Sequence, residues 1–436
     1  MRLRDFVEID FALLIAAVTL TTFGILFIYS SGVSAGGVVF SEEYIKQIIW
    51  GITGLIFALT IAVLNYRRAY HISIYLYMAT IVLLLYTCVL GRTVHNSRSW
   101  IGLGTLGIQP SEFAKITTIL LLAQFLDSTK RSMNALPRFF VSCLIAFFPM
   151  ILVLIQPDFG TSLVFIPILI SMTFIAGISL RYIFFLIITI AISCILLLFP
   201  IGETYILKKS IPILILITDK RFVIIVSSVL LIIFFIALYG FMRYKKKYFY
   251  WIDYSAVIGI LSLLMSYSAR KVLKEYQLKR LIVFLAPDVD PLGAGWNINQ
   301  SVTAIGSGGF VGKGYIQGTQ SHYRFLPQQS TDFIFSIFSE EWGFIGGMLV
   351  FALFLLICLR FIKIMNTTAD TFGVYITAGL SGMFIFHFVI NVGMTMGIMP
   401  ITGIPLLFMS YGGSSLLSAM IGVGLALSVH IRRFQY

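Results

Sequence analysis

Long apolar blocks constrain this chain more than any other feature. Each block runs for roughly 17 to 22 residues, the length at which an α-helix crosses a bilayer. Charged residues make up 11% of the 436 residues, against about 25% in an average soluble domain. A backbone in lipid must form helices or a closed barrel, and the blocks lack the alternation of strands. The sequence predicts an all-α polytopic membrane protein and excludes a soluble enzyme, a disordered chain and a coiled coil.

Twelve candidate spans follow from these blocks, so both termini are expected on one side of the membrane. They lie near residues 11–29, 45–64, 71–90, 110–126, 139–155, 160–177, 183–200, 222–242, 252–268, 343–361, 372–392 and 405–429. Alternate loops counted from the N-terminus all carry Lys or Arg, whereas the short loops 30–44, 156–159 and 393–404 carry none. By the positive-inside rule both termini are predicted to be cytoplasmic.

The charge and cysteine content excludes several other classes of function. The net charge of +13 includes no long basic run, so it indicates membrane sidedness and no nucleic-acid partner is expected. The four cysteines fall inside apolar blocks, which favours small buried side chains over a disulfide or metal framework. The five histidines lack zinc-site spacing, so no metal ligand is assigned.

Two outer segments hold most of the polar residues outside the spans. Segment 91–109 includes Arg98, and segment 269–342 is the large non-spanning loop of the chain. Its surplus of cations suits an anionic head group at the membrane surface, although a solvated loop with scattered charge would look the same. The glycine-rich stretch 306–314 departs from a phosphate-loop pattern and favours tight turns instead.

Three groups of residues are candidates for chemistry. Glu112 and Lys115 share one face of a predicted span that starts at Pro110, as either a functional pair or a self-neutralising packing pair. Asp158 lies in a polar break between two spans, where capping the next helix is the simpler explanation. The third group is the long loop, in which Asp290 precedes a proline and two glycines close to Arg280. A carboxylate beside phosphate-binding cations suggests group transfer from a phospholipid-like donor.

These motifs resemble the SEDS (shape, elongation, division and sporulation) family of bacterial peptidoglycan glycosyltransferases. The matching segments are Arg98-Ser-Trp with Gln109-Pro-Ser-Glu-Phe-Ala-Lys115, the loop Asp290-Pro-Leu-Gly-Ala-Gly295, and Gly393 to Pro405 followed by Ser410-Tyr-Gly-Gly-Ser-Ser415. Gly312-Lys-Gly314 and Gly318-Thr-Gln-Ser321 look more like the elongation branch than the division branch. The chain departs from the family at Gln328 and Ser330, where Glu and His are usual.

The resemblance implies polymerisation of lipid II, an undecaprenyl diphosphate-linked disaccharide pentapeptide, during cell elongation and shape maintenance at the cytoplasmic (inner) membrane. Asp290 matches the family's catalytic carboxylate, and a class B penicillin-binding protein is the expected partner. A divalent ion, Mg²⁺ or Mn²⁺, bridging the diphosphate is compatible with this role, but no cofactor is assigned. The expected substrate-binding residues are Arg98, Glu112, Lys115, Asp158, Arg280, Gln300, Lys313 and Asp332.

The family also implies a domain plan and leaves a rival function open. Residues 1–436 are expected to form one integral membrane domain, a SEDS-type helical bundle of ten family spans plus an inserted pair in 201–268. Loop 269–342 is expected to be extracytoplasmic and to carry the catalytic site. The rival is a transporter that flips lipid II; transporters place their site near the midplane on internal repeats, and we find no convincing repeat here. A scaffold for other cell-wall enzymes gives no reason for a carboxylate among cations.

Overall fold

The computed structural model describes residues 9–34, 36–94, 97–103, 106–202, 219–273, 275–284, 286–323 and 325–434. Residues 203–218 of the predicted inserted segment lie outside this part of the chain. In chain order the elements are α1 (Phe11–Ser31), α2 (Glu43–Val63), α3 (Arg67–Leu90), β1 (Arg92–Val94), β2 (Ser97–Leu103), β3 (Leu106–Ile108), α4 (Pro110–Ser128), α5 (Ala135–Ile155), α6 (Phe159–Leu163), α7 (Phe165–Ile175), α8 (Leu180–Gly202), α9 (Lys220–Tyr244), α10 (Lys247–Val272), α11 (Glu275–Val283), a 3₁₀ turn (Pro287–Val289), α12 (Ala294–Ser307), α13 (Thr319–His322), α14 (Ile334–Thr367), α15 (Thr371–Thr395) and α16 (Gly413–Ile431).

The predicted membrane helices are present. Ten of the described helices are long and apolar enough to cross a membrane, namely α1, α2, α3, α5, α8, α9, α10, α14, α15 and α16. The other two predicted spans also fold as helices. One is α4, which carries the buried charges Glu112 and Lys115, and the other is the shorter apolar helix Phe159–Ile175, which divides into α6 and α7 at Val164.

The chain divides into two compact units, Met1–Gly177 with Asn297–Tyr436, and Ile178–Trp296. In the first, larger unit, α16 is the most buried of the ten long helices and packs along α2. A Cβ atom on Gly424 would lie 2.6 Å from the carbonyl oxygen of Ala58, so this packing requires a residue without a side chain. Small residues commonly allow such close approach between membrane helices.

The second unit is built from α8, α9, α10, α11 and the turn that carries Asp290. Helix α10 packs against both α8 and α9. The Ser262 hydroxyl donates to the carbonyl of Thr189 at 3.2 Å, and the Tyr254 hydroxyl donates to the carbonyl of Arg181 at 2.8 Å. Helix α9 is the least buried of the ten long helices.

The predicted span 405–429 is wrong at its N-terminal end, because α16 begins only at Gly413. Residues Leu406 to Met409 form a buried turn in which the Ser410 hydroxyl accepts a hydrogen bond from the Leu406 amide at 2.9 Å. The turn packs so closely on α1 that a Cβ on Gly24 would lie 2.7 Å from the Met409 Cα. These apolar residues are buried against protein, which the sequence alone does not distinguish from burial in lipid.

The predicted span 343–361 starts too late, because α14 begins at Ile334. Its first turns are apolar and buried, and the helix bends at Gly343, whose φ of 64° lies outside the helical region. The acidic pair Glu340 and Glu341 therefore lies in the first part of a helix. In addition, β1, β2 and β3 form a small antiparallel sheet in the order β1-β2-β3, which the all-α prediction did not anticipate.

Candidate active site

Helix α4 carries a buried ion pair at the first motif. Gln109 has an extended backbone and Pro110 occupies the first helical turn, where its missing N–H costs no helical hydrogen bond. The Lys115 ammonium lies 2.8 Å from Glu112 Oε2, and their side chains are 0% and 2% exposed. Two charges shielded in this way must compensate each other, because an unpaired charge would be costly to bury.

His387 and Ser418 complete the surroundings of this pair. His387 Nδ1 lies 2.9 Å from the carbonyl oxygen of Pro405, which accepts hydrogen bonds only, so Nδ1 carries the proton. The unprotonated Nε2 then accepts from the Lys115 ammonium at 3.2 Å. The Ser418 hydroxyl donates to Glu112 Oε2 at 3.1 Å. We call Glu112, Lys115, His387 and Ser418 the buried polar network.

Asp158 is tied to the same helix through Gln109. The Gln109 side-chain amide donates to Asp158 Oδ2 at 2.7 Å, while Oδ1 caps α6 by accepting from the Thr161 amide at 3.1 Å. Burial raises the pKa of the Asp158 carboxyl, the hydrogen bonds from Thr161 oppose that shift, and the charges of Glu112 and Lys115 act in opposite directions. The structure thus brings Glu112, Lys115 and Asp158 together, and Asp158 is a helix cap as well.

Glu340 and Glu341 organise the glycine-rich segment of the long loop. Glu340 Oε1 accepts from the Lys313 ammonium at 2.7 Å, the Thr319 amide at 2.8 Å and the Gln320 amide at 3.0 Å. Both carboxylates are buried. Lys313, predicted to bind substrate, therefore has a structural partner in the protein.

Glu341 joins three separate segments of the first unit. Its Oε1 accepts from the Ser30 hydroxyl of α1 at 2.5 Å, and its Oε2 accepts from the Ile316 amide at 3.0 Å. Gly312, with a φ of 89°, passes so close that a Cβ there would lie 2.1 Å from the Glu341 carbonyl oxygen. The glycines of stretch 306–314 thus allow a tight fold against α14, as the sequence suggested.

Asp290 lies directly after the 3₁₀ turn, and its Oδ2 accepts from the Ala294 amide of α12 at 2.9 Å. A Cβ on Gly293 would lie 2.4 Å from that oxygen, and one on Gly295 would lie 2.1 Å from the Pro287 carbonyl oxygen. The two glycines therefore shape the loop around Asp290 itself. Asp290 is half-buried, whereas Asp288 is exposed.

The remaining predicted site residues are spread over both units. Arg98 is exposed on β2, Gln300 is half-buried on α12, and the carbonyl of Asp332 accepts from the Asn391 side chain at 3.1 Å. Arg280 is exposed on α11. Asp290 and Arg280 belong to the second unit, and the other seven predicted residues belong to the first.

The departure from the family pattern at Gln328 and Ser330 falls in a segment whose main chain forms hydrogen bonds at both positions. The Tyr411 amide donates to the Ser330 carbonyl at 2.7 Å, and the carbonyl of Gln328 accepts from the Asp332 amide at 3.2 Å. Gln328 has a left-handed backbone with a φ of 54°. The loop and the Ser410-Tyr-Gly-Gly motif therefore meet by a contact that does not depend on the side chain at 330.

No sequence motif predicts a role for His387, Ser418, Glu340 or Glu341. An ionisable residue within a span is a signal of a functional or paired position, and His387 in α15 carries that signal. In the described part of the chain, no three His, Cys, Asp or Glu side chains are arranged to hold a metal ion.

Comparison with known proteins identifies the family. The sequence model of the FtsW/RodA/SpoVE cell cycle proteins matches residues 11–210 and 203–435. This chain belongs to that family. It is 48% identical to the peptidoglycan glycosyltransferase RodA of Treponema pallidum (strain Nichols), over 99% of this chain and 100% of the relative. It is 30% identical to the peptidoglycan glycosyltransferase MrdB of Escherichia coli (strain K12), over 98% and 95%.

The FtsW/RodA/SpoVE fold is also found among solved structures. A chain from a peptidoglycan synthase complex that coordinates polymerization and crosslinking superimposes with a TM-score of 0.68 and 25% sequence identity. The match covers 98% of this chain and 99% of that chain. The helical membrane architecture described above is therefore that of the family, and the chain is a multi-pass membrane protein.

Proposed function

We propose that this protein is a peptidoglycan glycosyltransferase that polymerises lipid II during cell-wall elongation. The observation that carries the proposal is the 48% identity, across 99% of the chain, to a relative named peptidoglycan glycosyltransferase RodA. Because the match extends over both compact units, it includes the Asp290 loop and the buried polar network. The SEDS-type loop motifs that favour the elongation branch agree with the same relative.

In the proposed reaction, Asp290 is the general base. Its carboxylate takes the proton from the acceptor sugar hydroxyl, whose oxygen then attacks the anomeric carbon of the donor. The bond from that carbon to the diphosphate oxygen breaks, and the lipid diphosphate leaves with the electron pair. The carboxylate of Asp290 is half-buried, and its Oδ2 accepts a hydrogen bond from the Ala294 amide. This hydrogen bond fixes the orientation of the carboxylate, which supports a role as general base.

The cations are proposed to stabilise the diphosphate as negative charge develops on it. Arg280 and Arg98 are exposed, and a guanidinium binds phosphate oxygens in a bidentate manner. Lys115 is fully buried, so we propose that it acts within the buried polar network, with Glu112 and Asp158 setting the local charge. Gln300, Lys313 and Asp332 complete the proposed substrate-binding set. A bound Mg²⁺ or Mn²⁺ ion would supply further positive charge to the diphosphate.

We further propose the location and the partner. The distribution of Lys and Arg supports cytoplasmic termini in the inner membrane, with loop 269–342 on the outer side. The similarity to a chain of a peptidoglycan synthase complex supports assembly with a cross-linking enzyme, a class B penicillin-binding protein.

Polymerisation in detergent micelles tests the proposal against the rival flippase. Purified protein is given labelled lipid II, and the products are separated by length. Glycan chains are expected, and they cannot arise from flipping because a micelle has no second compartment. The Asp290→Asn variant controls for a contaminating polymerase, because a contaminant would act equally in both preparations. An inactive wild-type protein that transports lipid II in sealed vesicles would instead establish the flippase.

A further inference from the structure

The turn between α9 and α10 concentrates positive charge at one end of the second unit. Only Lys245 and Lys246 separate the two helices. Lys245 is the C-cap residue of α9 and has a left-handed backbone conformation with a φ of 52°. Four cations therefore lie at the helix ends, and all are exposed: Arg243, Lys245, Lys246 and Lys247. Within the described ranges, no ion pair joins any of them to an acidic side chain.

Aromatic side chains surround this basic turn. The rings of Tyr244 and Phe249 stack at 6.2 Å, and those of Tyr248 and Phe249 lie 4.3 Å apart. One turn further along α10, the rings of Trp251 and Tyr254 lie 5.5 Å apart. Tyr and Trp are enriched where a membrane helix passes through the head-group layer. The rings thus indicate that the cations lie at the depth of lipid phosphates.

The tip is held together by close packing. A Cβ on Gly240 would lie 2.4 Å from the ring of Phe249, so α9 and α10 touch at this position. The hydrogen bond from Tyr254 to the carbonyl of Arg181 brings the start of α8, with a further exposed cation, to the same end. The cations therefore extend from a packed three-helix end.

We propose that this end, the basic tip formed by Arg181, Arg243, Lys245, Lys246 and Lys247, binds the phosphate groups of anionic phospholipids. Clusters of cations next to a membrane helix bind anionic head groups, and the attraction extends over about one Debye length. The two-residue turn favours a lipid over an acidic protein, because it keeps the cations within a helical turn of the apolar segments. This inference goes beyond the proposed catalytic function, since none of these residues belongs to the proposed site.

Lipid retention on the full-length protein tests the inference. Protein purified in mild detergent is incubated with equal amounts of phosphatidylglycerol and phosphatidylcholine, and bound lipids are counted by native mass spectrometry. The variant K245Q/K246Q is compared with K130Q/R131Q, which removes two exposed cations from the turn between α4 and α5, where no aromatic residues lie. We expect wild type and K130Q/R131Q to retain phosphatidylglycerol in preference to phosphatidylcholine. K245Q/K246Q should retain at least roughly tenfold less phosphatidylglycerol than wild type.

Two results would overturn the inference. The first is unchanged phosphatidylglycerol retention in K245Q/K246Q, and the second is an equal loss in both variants, which would indicate general charge attraction. The first of these results would leave an acidic protein as the ligand of the tip. Lipid II polymerisation by K245Q/K246Q confirms that the purified variant is folded.

Discussion

The Lys115 ammonium donates to the unprotonated Nε2 of His387 at 3.2 Å, across residues that are 272 positions apart in the sequence. The contact joins α4 to α15 and places a neutral histidine beside a buried cation. Lys115 donates at the same time to Glu112. The Lys115 ammonium is thus balanced by the Glu112 carboxylate, and its hydrogen bond to the neutral His387 ring fixes its orientation.

Removing one partner of the buried pair should destabilise the protein strongly. Lys115→Met leaves Glu112 as an unpaired buried charge, which typically costs about 3–5 kcal/mol. The double variant E112Q/K115M should recover most of the thermal stability in detergent, because neither charge remains, yet it should not polymerise lipid II.

The matched control is Arg67→Gln, which breaks a 2.8 Å pair with Asp370 in which the Arg67 side chain is 43% exposed. That change should cost less than Lys115→Met, because Asp370, which is 10% exposed, still accepts from the Tyr66 hydroxyl at 2.8 Å and the Gly373 amide at 3.3 Å. Equal losses of thermal stability in Lys115→Met and Arg67→Gln would contradict the prediction that burial of the Glu112–Lys115 pair makes its disruption more costly.

Glu340 should control the order of the segment that it binds. Glu340→Ala removes the acceptor of the Thr319 and Gln320 amides, so hydrogen exchange in peptides covering residues 313–323 should become faster. Asp288→Asn, at an exposed carboxylate of the other unit, should leave the exchange in these peptides unchanged. Unaltered exchange in Glu340→Ala would show that the glycine-rich fold is maintained by packing alone.

The sequence predicted the membrane helices well because a span has a simple physical requirement, a long apolar run. It failed at Leu406 to Met409 because that run is buried against α1 and α15, and hydropathy does not record what covers a residue. It also placed the start of α14 too late, since Glu340 and Glu341 were assigned to the non-spanning segment 269–342. Glu340 and Glu341 are compensated by Lys313, Ser30 and loop amides, which only the folded chain brings near.

The candidate site was predictable only where its partners are close in sequence. Glu112 and Lys115 are three residues apart, so helical geometry alone places them together. His387 and Ser418 join them through contacts that span about 270 to 300 positions, which no local pattern reveals. The packing around Gly293 and Gly295 could not be predicted from the sequence, and the structure places Asp290 and Pro287 against them.

Gly295→Ala should disturb the Asp290 loop without unfolding the protein. The added Cβ would lie 2.1 Å from the Pro287 carbonyl oxygen and 2.7 Å from that of Asp290, so the backbone must move. A displacement of about 1 Å at a reacting group can cost about 100-fold in rate. Gly306→Ala is the control in the same helix, because nothing lies within 4 Å of its Cβ. We expect Gly306→Ala to polymerise lipid II normally; equal rates in both variants would rule out a strained Asp290 loop.

The sidedness of the inserted hairpin can be measured directly. In a chain whose native residues Cys88, Cys143, Cys194 and Cys358 are replaced, Tyr244→Cys and Val38→Cys introduce single thiols at positions that are 63% and 65% exposed. A membrane-impermeant maleimide should label Val38→Cys on intact spheroplasts, and label Tyr244→Cys only after lysis. Labelling of Tyr244→Cys on intact spheroplasts would reverse the orientation of the basic turn.

Two carboxylates that lie two residues apart distinguish the proposed base from a surface charge. Asp290→Asn keeps the shape of the side chain and an oxygen that accepts the Ala294 amide, so the loop should stay folded while the basic group is lost. Loss of a general base lowers the rate by about 100- to 10,000-fold, and lipid II polymerisation should fall by that amount. Asp288→Asn changes an exposed carboxylate and should retain most activity. If both variants polymerise normally, Asp290 is not the base. If only Asp288→Asn is inactive, the loop register inferred from the SEDS family is displaced by two residues.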